Sequence, residues 1–114
     1  MSDVERVAHA RQLRGSLRVP GDKSSSHRAL MLSALAAGTS TITGLSPGED
    51  VTATSVILTQ LGATRRDENG VARVSGPESG LRVSEAALDC GNSGTTMRLM
   101  AGLVAAIAGT HRLI

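Results

Sequence analysis

No phenylalanine, tyrosine or tryptophan occurs anywhere in the 114 residues. Any core must therefore be assembled from Leu, Val, Ile, Ala and Met, and is expected to be light and rich in small side chains. The same absence argues against reading of nucleic acid by base stacking, which needs aromatic platforms. Cysteine is nearly missing too. Cys90 stands alone, so no internal disulfide can form, and a reducing, cytoplasmic compartment is expected. No apolar run approaches the ~20 residues that span a bilayer. Residues 1–12, MSDVERVAHARQ, lack the apolar stretch of a signal peptide and read as a polar tail. Charge of neither sign predominates: a net +2 is too small for a nucleic-acid or membrane footprint. What remains, 40% hydrophobic and 19% charged residues, is the composition of one small globular domain.

The punctuation of the chain predicts alternating strands and helices. LRGSLRV (13–19) has strand character and ends at Pro20-Gly21. From Ser24 to Ala37 the positions Leu30, Met31, Ala34 and Leu35 share a helical face, with Gly38 as the stop and Ser24 or Ser25 as the cap. TSTITGL (39–45) reads as a strand. Pro47-Gly48-Glu49-Asp50 then opens a helix with acidic residues where the macrodipole favours them, and Ala53, Ile57 and Leu61 continue its apolar stripe. Asn69-Gly70 between two short runs predicts a tight hairpin, because a type I′ turn needs positive φ at both central positions. LRVS (81–84) reads as a short strand, 95–108 as a helix stopped by Gly109, and THRLI as the start of another strand. The order is β, then αβαββ, then the opening of a second such unit. The end in mid-pattern reads as the N-terminal part of a longer protein.

Two polar joints carry the chemistry. In GDKSSSHR (21–28), a lysine and three serines stand where a helix N-terminus leaves unpaired N–H groups and positive dipole. Lys23 supplies a point charge, a serine hydroxyl can donate to phosphate, and Arg28 offers a two-pronged grip one turn further in. The plainer reading is a capped helix with solvated basic residues. His27 reads as structural, since no ligand-spaced His, Cys or carboxylate cluster accompanies it. The S-x-x-K order of some acyl-transfer sites is absent. In CGNSGTTMR (90–98), Gly91 and Gly94 flank Asn92-Ser93, and Thr95-Thr96 follow at a helix start. This is neither a P-loop nor a dinucleotide turn, and G-x-x-G alone is a weak signal. Cys90 reads as a buried filler. Together, two helix starts on one side of a layered α/β unit can hold a small molecule bearing several negative charges.

LRGSLRVPGDKSSSHRALMLSALAAGTSTITGL, EDVTATSVILTQLGA and LDCGNSGTTMRLMAGL, in this order from Leu13 onward, resemble the 3-phosphoshikimate 1-carboxyvinyltransferase (EPSP synthase) family. The resemblance implies an inside-out α/β barrel of βαβαββ units in two lobes. Residues 13–114 would be the N-terminal part, with strand 13–19 pairing in the other lobe. It implies transfer of the carboxyvinyl group of phosphoenolpyruvate to the 5-hydroxyl of shikimate 3-phosphate, with phosphate released through a tetrahedral intermediate. Such an enzyme is a monomer using no metal or organic cofactor and binding neither nucleic acid nor membrane. By the same resemblance, Lys23 touches both substrates, Ser24 and Arg28 bind shikimate 3-phosphate, and Gly94 lies against phosphoenolpyruvate, where glyphosate competes. Asn92 and Thr95 match positions near phosphoenolpyruvate, and Lys23 and Asp50 match catalytic positions. The family's acid/base carboxylates lie in a part this chain lacks, so residues 1–114 alone are expected to be inactive. The related UDP-N-acetylglucosamine carboxyvinyltransferases carry a different lysine motif. A non-catalytic anion-binding module is the alternative from another class.

Overall fold

The computed structural model describes residues 3–114; residues 1 and 2 of the expected polar tail lie outside them. The elements run α1 (Lys23–Leu35), β1 (Thr39–Thr43), α2 (Glu49–Gln60), β2 (Thr64–Glu68), β3 (Val71–Ser75) and α3 (Gly94–Val104). The expected αβαββ order followed by a new helix is present. The strands form one antiparallel sheet in the order β1-β3-β2.

The hairpin between β2 and β3 turns on Asn69 and Gly70, with φ of 52° and 74°. This is the double positive-φ turn that the dipeptide predicts. Central β3 alternates cleanly: Ala72 and Val74 are buried beneath the helices, and Arg73 points to the open face. The core joins Leu30 and Ala34 of α1, Val51, Ile57 and Leu58 of α2, Leu61, Val74, Leu88, Cys90 and Met100, Leu103 and Val104 of α3. Of the expected helical stripes, Leu30, Ala34, Ile57 and Leu61 are buried, Met31 and Ala53 are half-buried, and Leu35 remains exposed.

Helix α1 departs from its expected ends in two ways. Its N-cap is Asp22, whose carboxylate accepts the Ser25 backbone N–H at 2.7 Å, so Ser24 and Ser25 belong to the first turn. A carboxylate both accepts that bond and complements the dipole, so it outcompetes a hydroxyl. The helix stops at Leu35, before Ala37. A Cβ at Gly76 would collide with the Ala34 and Ala36 carbonyl oxygens. The chain leaving β3 thus passes directly over the helix end.

The strands expected over 13–19 and 81–84 do not form among the described residues. Residues 13–19 are exposed and have no ladder partner, and strand structure needs a neighbour for its N–H and C=O groups. At 81–84 the Arg82 N–H donates to the Leu61 carbonyl at 2.8 Å and no ladder follows. Helix α3 begins at Gly94 with Ser93 as N-cap and ends at Val104, after which single turns lead to Gly109. Past α3 the chain returns beside Leu88. Leu88 and Leu113 form a parallel bridge, flanked by Leu88 N–H to Arg112 O and Cys90 N–H to Ile114 O, both 2.8 Å. This is the start of a βαβ crossover, as expected of a second unit opening.

Among the described residues, no helix is long and apolar enough to cross a membrane. Nor does any group of three or more His, Cys, Asp or Glu side chains stand ready to hold a metal ion.

Candidate anion-binding site

The first turns of all three helices meet at one end of the layer. Lys23 opens α1, and its Nζ donates to Asp50 Oδ2 of the first turn of α2 at 3.0 Å. The Asp50 carbonyl in turn accepts the Thr96 hydroxyl of the first turn of α3 at 3.1 Å. Helix N-termini carry unpaired N–H groups and partial positive charge, so their convergence makes a pole that attracts anions. The ion pair is open to solvent, Lys23 being 55% and Asp50 31% exposed at the side chain. Such a pair adds little stability and leaves the ammonium available.

The residues expected at the site fall on these three turns. Ser24 is exposed in the first turn of α1 and Arg28 one turn on, its Nη2 donating to Ser25 Oγ at 3.3 Å. Asn92 is exposed in the turn before α3, Gly94 is its first residue, and Thr95 is half-buried beside it. A Cβ built on Gly94 would meet nothing within 4 Å. The space above that turn is open. Lys23 and Asp50 are in direct contact, whereas Ser24, Arg28 and Asn92 make no side-chain bond to them.

Beneath the turns lies a buried chain of polar side chains. His27 Nδ1 lies 2.8 Å from Thr54 Oγ1, Thr54 Oγ1 lies 3.0 Å from Thr96 Oγ1, and Ser93 Oγ donates to Thr96 Oγ1 at 2.8 Å. His27, Thr54 and Thr96 have no exposed surface. Sequence reasoning treated His27 as structural, noted Thr96 only as a hydroxyl at a helix start, and passed over Thr54. The available signal was a hydroxyl within the buried stripe Val51, Thr54, Leu58, Leu61, where an aliphatic residue would otherwise stand.

The local electrostatics follow from these neighbours. Burial holds the His27 imidazole below its ordinary pKa, with nearby Lys23 adding to the effect and Asp50 opposing it. The Ser25 backbone N–H, then its hydroxyl, holds the Asp22 carboxyl below the usual value. Burial and the Asp89 charge push the Cys90 thiol up, so Cys90 is an inert filler rather than a nucleophile.

The model of the family described as EPSP synthase (3-phosphoshikimate 1-carboxyvinyltransferase) matches residues 7–113. The chain belongs to the EPSP synthase family. Among its relatives, the 3-phosphoshikimate 1-carboxyvinyltransferase of Synechococcus sp. (strain RCC307) is 55% identical over 102 residues, covering 87% of this chain and 23% of the relative. That of Prochlorococcus marinus (strain MIT 9303) is 47% identical over 120 residues, covering 97% and 27%. The solved EPSP synthase from Acinetobacter baumannii superposes with a TM-score of 0.79 at 39% identity, over 88% of this chain and 23% of that one. The chain thus spans about a quarter of the length of the EPSP synthases it matches, and its helices and small sheet share their α/β fold.

Proposed function

We propose that this chain supplies the N-terminal share of the substrate site of a 3-phosphoshikimate 1-carboxyvinyltransferase. Such an enzyme adds the 5-hydroxyl of shikimate 3-phosphate to phosphoenolpyruvate and expels phosphate from the tetrahedral intermediate. The observation that carries this reading is the convergence of three helix starts around Lys23, the chain's one lysine. Both substrates are phosphorylated carboxylates, and a positive pole formed by helix dipoles and an ammonium suits them.

In this reading Lys23 exchanges its contact with Asp50 for the substrates and neutralises charge as phosphate leaves. Ser24 and Arg28 hold the 3-phosphate, Arg28 by parallel N–H bonds. Gly94, with Asn92 and Thr95 beside it, receives phosphoenolpyruvate where a missing Cβ lets the backbone come close. Residues 13–19 become a strand only by pairing with a second lobe, whose closure brings the acid/base carboxylates to the site and excludes water. The enzyme acts as a monomer in the cytoplasm, where the lone thiol Cys90 stays reduced.

The test is a chimera in which this chain replaces the matching segment of the Synechococcus sp. (strain RCC307) relative. Phosphate release that requires both phosphoenolpyruvate and shikimate 3-phosphate is the expected result. Binding of shikimate 3-phosphate without turnover would instead mark a non-catalytic anion-binding module. The isolated chain is expected to release no phosphate.

A further inference from the structure

The hydrogen-bond chain under the site has only one consistent arrangement of protons. Thr96 Oγ1 has a single hydrogen, and the Asp50 carbonyl, which can only accept, takes it at 3.1 Å. Thr96 Oγ1 must therefore accept from both of its other partners, Ser93 Oγ at 2.8 Å and Thr54 Oγ1 at 3.0 Å. Thr54, having given its hydrogen to Thr96, accepts from His27, so His27 carries its proton on Nδ1. The order is His27 to Thr54 to Thr96 to the Asp50 carbonyl. Each hydroxyl donates once, and the Thr96 oxygen is saturated. The second ring nitrogen, His27 Nε2, is buried without a partner among the described residues, so no competing bond pulls the ring away from Thr54.

This relay starts on α1 four residues after Lys23 and ends on the backbone of the residue that holds Lys23. It crosses from α1 to α2 through His27–Thr54, and from α2 to α3 through Thr54–Thr96. From Thr96, two residues after Gly94 on α3, it returns to α2 at the Asp50 carbonyl. Its His27–Thr54 and Thr54–Thr96 bonds are buried and the bond to the Asp50 carbonyl is partly so; in such surroundings hydrogen bonds are strong and losing a partner leaves an unsatisfied group.

We propose that His27, Thr54 and Thr96 form a positioning relay that sets the Asp50 carboxylate against Lys23 and ties this pair to the turn carrying Gly94. None of the three touches substrate. Their work is to hold the first turns of α1, α2 and α3 in one register, so that the ammonium and the 92–95 turn keep a constant spacing. The meaning of that spacing for catalysis rests on the proposed function; the relay's hold on Lys23 does not.

Because the chain has one lysine, acylation of Lys23 by an N-hydroxysuccinimide ester, read by mass spectrometry of its peptide, reports on the ion pair directly. An exposed ion pair holds its side chain by up to about 1 kcal/mol, so a paired Lys23 meets the ester less often than a free one and acylates more slowly. Asp50→Asn should raise the rate by roughly threefold, the scale of an exposed ion pair. Thr96→Val, which leaves Lys23 and Asp50 untouched, should raise it comparably, while Thr96→Ser, which keeps the hydroxyl, should stay at the starting rate. Circular dichroism checks that each variant is folded, and Thr54→Val serves the same purpose should Thr96→Val not fold. A folded Thr96→Val or Thr54→Val chain that acylates at the unaltered rate would overturn the proposal, as would an Asp50→Asn chain that does so. The readout needs no turnover, so an inactive chimera would count against the proposed function and leave this result standing.

Discussion

The Thr96 hydroxyl donates to the backbone carbonyl of Asp50 across 46 residues of sequence. One side of that bond is the helix start bearing Gly94, and the other is the helix start whose carboxylate holds Lys23. The two polar joints of the sequence are therefore parts of one bonded assembly. Changes at either joint therefore act on one coupled arrangement.

Replacing Lys23 removes the only ammonium at the meeting point of the three helices. In the active chimera, Lys23→Met should lower kcat/KM by on the order of a hundredfold, about 3 kcal/mol of lost charge-assisted contact. Folding should be unaffected, because the Lys23–Asp50 pair is solvent-exposed. Steady-state kinetics together with a melting curve check both halves. Near-normal kcat/KM would make Lys23 a solvated helix end.

Gly94 has open space where a Cβ would stand, and its φ lies outside the left-handed region. Gly94→Ala should therefore raise the stability of the isolated chain by roughly 0.5 kcal/mol, through the smaller entropy of the unfolded state. On the proposed function, the new methyl in the chimera should crowd the ligand instead. The inhibition constant of glyphosate should rise more than KM for phosphoenolpyruvate, as overpacking at a contact costs ~1–3 kcal/mol. Equal changes in the two constants would contradict the placement.

Gly21 is needed for a different reason. A Cβ there would overlap the carbonyl oxygen of Gly44, which itself sits at a φ of 73° just past β1. Backbone meets backbone, so no rotamer relieves the clash. Gly21→Ala should destabilise the chain by about 2 kcal/mol and lower Tm by roughly 10 °C, measured by thermal denaturation.

His27 gives stability a pH dependence of definite sign. Its folded pKa lies below the ordinary value of 6.5 because the ring is buried. Below about pH 6.5 the unfolded chain binds a proton that the folded chain refuses. Stability should fall as pH drops from there toward the folded pKa, and this residue should add no slope above that window. Asp22, with its lowered carboxyl pKa, contributes only at more acidic pH. Denaturant titrations between pH 5 and 7 should show the slope, and His27→Gln should flatten it.

Much of this protein was legible from near neighbours in the chain. The Asn69-Gly70 hairpin, the acidic start of α2 and the Leu30/Ala34 and Ile57/Leu61 stripes depend on φ preference, capping and period, which act within a few residues. The Lys23 and Gly94 joints were legible as helix starts for the same reason. Other features were settled only by packing. Asp22 displaced the serines as cap, and Gly76 crossing over the Ala34 and Ala36 carbonyls ended α1 early. Residues 13–19, however strand-like, formed no ladder, because a ladder needs a partner that local pattern cannot supply. The relay from His27 through Thr54 and Thr96 to Asp50 belongs to this second kind. A threonine in an apolar stripe hints at a buried bond, but which hydroxyl meets which, across 27 to 46 residues, is decided where three helices come together.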